Sequence, residues 1–116
     1  LFFLKDQAAT LKEAGLKRLN ISLDALDKEK FTHVNRRDCL QQVLDGIAES
    51  RRVGFESIKI NAVAVKNFSE DEILKLVDMG REQDLEIRFI EFMPLDADQT
   101  WERDKVLFGH EIIDII

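Results

Sequence analysis

The chain reads as an α/β protein: a fragment of a (β/α) barrel, a single incomplete domain over residues 1–116, with about three parallel strands alternating with helices. Two observations carry that expectation. Helical periodicity and strand alternation take turns along the chain, the pattern of βαβ units. The strand-like segments are also apolar on one face and lined with small polar or charged groups on the other, which suits helices outside and a ligand inside. A closed barrel of this type takes about 200 to 250 residues. Three units therefore form one wall of a barrel, and three parallel strands alone leave two long edges unprotected.

The elements follow in order. Leu1, Leu4, Ala8 and Leu11 share a helical face and Gly15 stops it, which predicts a helix over 2–14. In Lys17 to Leu23, Leu19, Ile21 and Leu23 alternate with Asn20 and Ser22, and Asp24 follows, so this is the first strand. Asp27 is placed to cap a short helical turn over 28–34, whose Phe31 and Val34 cover the end of a core. Leu40, Val43, Leu44, Ile47 and Ala48 repeat at i, i+3, i+4, i+7 and i+8, with Asp38 as the expected cap and Gly54 as the stop. The second strand spans 57–65, with Ile58, Ile60 and Ala62 opposite Lys59 and Asn61. Ser69 and Glu72 have capping-box spacing, and Phe68 and Ile73 have that of a hydrophobic staple, ahead of a helix whose apolar face carries Ile73, Leu76, Val77 and Gly80. The third strand spans 85–93 and ends at Pro94; an acidic loop with Trp101 covers 95–104, and a last helix begins near Gly109.

Composition narrows the function. At 45% hydrophobic and 34% charged, the chain is that of a soluble globular protein. The net charge of −6 argues against a nucleic-acid surface, which needs clustered Lys and Arg. No apolar run approaches the roughly 18 residues that span a membrane. No signal peptide is evident; the chain opens on Leu1 rather than Met, so the true N-terminus is expected elsewhere. Cytoplasm is the expected compartment, or the mitochondrion in a eukaryote. Cys39 is the single cysteine, which excludes an internal disulfide and a metal site built on several thiolates of this chain.

Ligands of parallel α/β folds sit at the carboxyl ends of strands. The positions there are Ser22 and Asp24, Lys59 and Asn61, and Glu91 and Met93. Lys59 serves an anion or carbonyl, or acts as a Schiff-base amine, or else meets solvent or pairs with Glu91 or Asp24. Asn20, Ser22 and Asn61 are weak signals taken singly. Asp24 and Asp27 read as caps of the following turn. Arg88 and Glu91 fall on opposite faces of a regular strand, and periodicity leaves open which faces inward. His33 and His110 read as surface residues, and Cys39 as an incidental thiol.

Three segments carry a resemblance: Asn20-Ile-Ser-Leu-Asp24, Lys59-Ile-Asn-Ala-Val63 and Arg88-Phe-Ile-Glu-Phe-Met-Pro-Leu95. In this order and spacing they resemble the radical S-adenosylmethionine superfamily, and within it the GTP 3′,8-cyclase family of molybdenum cofactor biosynthesis. The resemblance covers essentially the whole chain. It implies a partial, TIM-barrel-like (β/α) fold of which this chain would be the central part, contributing the fourth to sixth strands. It implies an enzyme, a lyase that uses S-adenosylmethionine and 4Fe-4S clusters to convert GTP toward cyclic pyranopterin monophosphate. Position by position, it makes Ser22 and Met93 contacts to S-adenosylmethionine and Lys59 a contact to the substrate GTP, with Asn61 and Glu91 as further pocket candidates and no catalytic residue in this piece. A homodimer is one expectation for the intact protein, with neither nucleic acid nor membrane as a partner.

The family's cysteine-rich cluster motifs do not occur in these residues, so the chain alone is expected neither to bind iron nor to cleave S-adenosylmethionine. The family often has Thr-Gly-Arg-Asp where this chain has Asn35-Arg-Arg-Asp38. Two other readings of the same residues stay open. One is a Schiff-base lyase or aldolase using Lys59; the other is a non-catalytic α/β binding module, a small open sandwich complete in itself.

Overall fold

The computed structural model describes residues 4–91 and 107–116. The elements are α1 (Leu4–Glu13), β1 (Arg18–Ser22), α2 (Lys28–Asn35), α3 (Leu40–Val53), β2 (Ser57–Ala64), α4 (Glu70–Gln83), β3 (Glu86–Glu91) and α5 (Gly109–Ile115). Met93, Pro94 and the loop with Trp101 lie outside the described residues.

The three strands form one parallel sheet in the order β1-β2-β3. Among the described residues the sheet is not closed, and β1 and β3 are its two edges. This is the partial β/α arrangement that the alternation of elements predicts.

Alternation along β2 explains which way the sheet faces. Ile58, Ile60, Ala62 and Ala64 are buried, whereas Ser57, Lys59, Asn61 and Val63 are half-buried. Ile58, Ile60 and Ala62 join Leu19 and Ile21 of β1 in a core that includes Leu4 and Ala8 of α1, Phe31 of α2, Val43 and Ile47 of α3, and Leu76 and Met79 of α4. A smaller cluster of Ala64, Ile73, Leu107 and Ile112 seats α5. The helices thus cover the apolar face that the strands' own side chains define, and the polar face carries no helix of the described residues.

Two helix ends depart from the sequence expectation. Asp38 does not cap α3. Its carboxylate pairs with Lys28 at 3.4 Å, and Cys39 takes the N-cap position without a side-chain bond. Ser69 and Glu72 do not form a capping box either. Ser69 Oγ accepts from the Val65 N–H at 2.8 Å, and Glu72 Oε1 accepts from the Asp27 N–H at 2.6 Å. At α4 the reciprocal pairing gives way to a distant backbone donor for Glu72 and to a donor in the preceding turn for Ser69. Asp27 does cap α2, accepting from the Lys30 N–H at 3.0 Å.

Helix α2 stops at Arg36, which sits in the left-handed region at φ 59. Its N–H donates to the Thr32 carbonyl at 2.7 Å, so the geometry is that of a C-terminal cap, where glycine carries no Cβ penalty. A side chain in that conformation costs roughly 1 kcal/mol. Arg36→Gly is accordingly expected to raise stability by up to about 1 kcal/mol, read as a higher urea midpoint at constant slope.

Candidate functional site

Parallel pairing puts register partners on one face. Asn20 pairs with Lys59 and Ser22 with Asn61, while Lys59 pairs with Glu86 and Asn61 with Arg88. Ser22, Lys59 and Asn61 therefore stand side by side on the face without helices, with Asn20, Glu86 and Arg88 in the same layer. The ion-pair partner of Lys59 is Glu86, at 3.7 Å, rather than Asp24 or Glu91. Arg88 Nε donates to the same Glu86 carboxylate at 2.9 Å. Two cations share one carboxylate here, so the layer keeps a surplus of positive charge despite the acidic chain.

Arg88 is the residue that alternation left undecided. The register assigns it to the polar face and sets Glu91 on the other. Glu91 Oε1 accepts from the Gly109 N–H at 2.8 Å, at the start of α5, so Glu91 is not brought together with Lys59. Met93 lies outside the described residues.

The carboxyl end of β1 is fastened to β2. The Leu23 N–H donates to the Asn61 carbonyl at 3.0 Å. Asp24 does not cap the next turn; its Oδ1 accepts from the Val63 N–H at 2.8 Å, extending the ladder with a side chain. Burial pushes the Asp24 carboxyl above its ordinary 3.8, and the Val63 N–H partly opposes that rise. The folded state thus holds this proton more tightly than the unfolded chain. Its contribution to stability is fully present below pH 3.8 and declines as pH rises through the raised value. Asp24→Asn keeps an acceptor for Val63 and removes the titration. It is expected to flatten that decline in urea melts across the acidic range.

Cavities exist at both ends of the sheet. One of ≈ 210 Å³, lined by Asn20, Ser22, Asn35 and Cys39 among others, opens beside the free edge of β1. A larger one of ≈ 500 Å³ lies at the amino ends of β2 and β3, away from Ser22 and Asn61. His33 packs on Phe68 at 5.9 Å between ring centres, and His110 stacks on Phe108, so neither reaches the polar layer.

The described residues contain no group of three or more His, Cys, Asp or Glu placed to hold a metal, and Cys39 is buried at the start of α3. With Cys39 as the single cysteine of the sequence, the described residues do not fit an iron-sulfur cluster. They do fit a polar organic ligand: a hydroxyl, two amides and two cations project from one open strand face.

The described residues form a parallel β/α wall with a bare polar face and bonded strand ends. The family model described as "Radical SAM superfamily" matches residues 2–80, and the chain belongs to that superfamily. It is 47% identical over 113 residues to a GTP 3′,8-cyclase of Rhodopirellula baltica, covering 97% of this chain and 32% of that protein. It is 48% identical over 104 residues to GTP 3′,8-cyclase 2 of Pseudomonas aeruginosa, covering 90% of this chain and 31% of that protein. A GTP 3′,8-cyclase of Mycobacterium ulcerans is 41% identical over 110 residues, 95% of this chain and 31% of its own length. The chain spans about a third of the length of these curated relatives.

Proposed function

We propose that this chain forms one wall of the S-adenosylmethionine and GTP pocket in a GTP 3′,8-cyclase. The observation that carries the reading is the single polar layer of Ser22, Lys59 and Asn61 on a helix-free sheet face, in a chain whose relatives bear that name.

Ser22, at the carboxyl end of β1, offers a hydroxyl to the cofactor, and Met93 offers a polarisable apolar contact. Lys59 and Arg88 bind the anionic substrate, with Glu86 keeping both cations in place until it arrives. Asn61 supplies an amide between the two ligands. When bound, S-adenosylmethionine would supply the adenosyl radical chemistry that the conversion of GTP requires, with Ser22 and Met93 as the residues of this chain that would hold it. The residues of this chain bind and orient; cluster chemistry belongs to segments that these residues do not include. The compartment is the cytoplasm, and the intact protein is a homodimer.

The test is turnover by the anaerobically reconstituted protein that carries this chain in full length. GTP conversion that depends on S-adenosylmethionine is the expected result. Ser22→Ala should weaken cofactor binding by roughly tenfold, the worth of one well-placed hydrogen bond. Turnover of a carbonyl substrate trapped by borohydride on Lys59, with GTP untouched, would favour the lyase reading instead.

A further inference from the structure

The loop that follows Ser22 has unusual burial for a connection between strand and helix. Leu23 is 1% exposed and Ala25 0%. Backbone N–H groups of a buried loop must find partners: Leu23 donates to the Asn61 carbonyl, and a side chain from a distant helix takes the Asp27 N–H. Asp24 Oδ1 reaches Val63, and Glu72, on the first turn of α4, reaches the Asp27 N–H at 2.6 Å.

Glu72 is itself 0% exposed. A carboxylate taken out of water is costly unless it is paired and hydrogen-bonded. Its second oxygen faces the Lys75 ammonium at 3.0 Å. The neighbouring loop is tied into the same unit: Ser69 Oγ accepts from Val65 at 2.8 Å, and Lys30 Nζ donates to the Phe68 carbonyl at 2.8 Å. Ser69 and Glu72 had the spacing to cap α4 reciprocally. Both are used on the loops behind the strand ends instead. This is a choice that gives up local helix stability and gains a fixed backbone directly after Ser22 and Asn61.

We infer that Glu72 is a positioning residue: it holds the backbone of residues 23–27, and through it sets Ser22 against S-adenosylmethionine. The inference rests on the reading of Ser22 as a cofactor contact. It adds a residue that touches neither ligand and acts through one that does.

A double-mutant cycle on the reconstituted full-length enzyme tests it, with S-adenosylmethionine affinity by equilibrium dialysis and the KM–kcat split as readouts. Glu72→Ala should weaken cofactor binding about tenfold, and Glu72→Gln, which keeps an acceptor for Asp27, should restore most of it. In the Ser22→Ala background the same Glu72→Ala change should cost less than about twofold more, because both changes remove one interaction. If Glu72→Ala does not fold, Glu72→Asp, which withdraws the acceptor by one methylene, is read in the same cycle. Additive losses, or a lowered Tm with unchanged cofactor affinity, would overturn the inference. If Ser22→Ala itself leaves cofactor affinity unchanged, the fault lies with the pocket reading, so the two failures are distinguishable.

Discussion

Lys59→Met in the reconstituted enzyme is expected to weaken GTP binding by roughly 10- to 100-fold, while S-adenosylmethionine affinity stays within about twofold. The size follows from losing a charge-assisted contact from a half-buried site, where the Lys59 side chain is 27% exposed and solvent screens the charge only in part. Methionine keeps most of the stem, so the change removes charge rather than packing. The selectivity follows from the register: Lys59 stands between Asn20 and Glu86, whereas Ser22 stands across from Asn61. Competitive filter binding of the two ligands reads both affinities in one experiment. Equal losses for both would mean that the substitution damages the sheet rather than the substrate contact.

Ile60→Ala is expected to destabilise the fold by about 3 kcal/mol, within the 2 to 5 kcal/mol range for fully buried aliphatic truncations. Ile60 is 0% exposed in the central strand, so the cavity it leaves cannot open to water. Both edge strands pack beside it, which limits relaxation from either side. Denaturant unfolding of the full-length protein should show a lowered midpoint with an unchanged slope. A loss below about 1 kcal/mol would imply that the sheet collapses onto the missing methyls, which a rigid barrel wall should resist.

Much of this wall can be read from residue order alone. The alternation of Leu19 and Ile21 with Asn20 and Ser22, and of Ile58 and Ile60 with Lys59 and Asn61, is enough to define an apolar and a polar face. Side chains two apart share a face, so Ser22, Lys59 and Asn61 could be assigned to one layer as soon as the strands were taken as parallel. Register is another matter. Nothing local to Lys59 says that residue 86 rather than 91 lies across from it, because that offset depends on where α4 delivers the chain. The same offset decides between Arg88 and Glu91.

The helix starts fail for a related reason. Capping is a local contest only when the side chains have no better partner. Glu72 is drawn to Asp27, a partner reached only in the folded chain, while Asp38 pairs with Lys28 of α2 and Ser69 accepts from Val65 in the turn that leads into α4. Asp24 likewise gives up its own turn for a backbone donor on the adjacent strand. Gly54 and Asp27 match expectation because their roles need nothing beyond the neighbouring turn.

The central claim is that the polar layer around Lys59 meets GTP, and lysine footprinting tests it most directly. The full-length protein is acetylated under limiting reagent with and without GTP, and each lysine is quantified by mass spectrometry. Selective protection of Lys59 by GTP, with Lys12 and Lys28 on the helix side unaffected, is the predicted result. A Lys59 that reacts at the same rate with and without saturating GTP would contradict it.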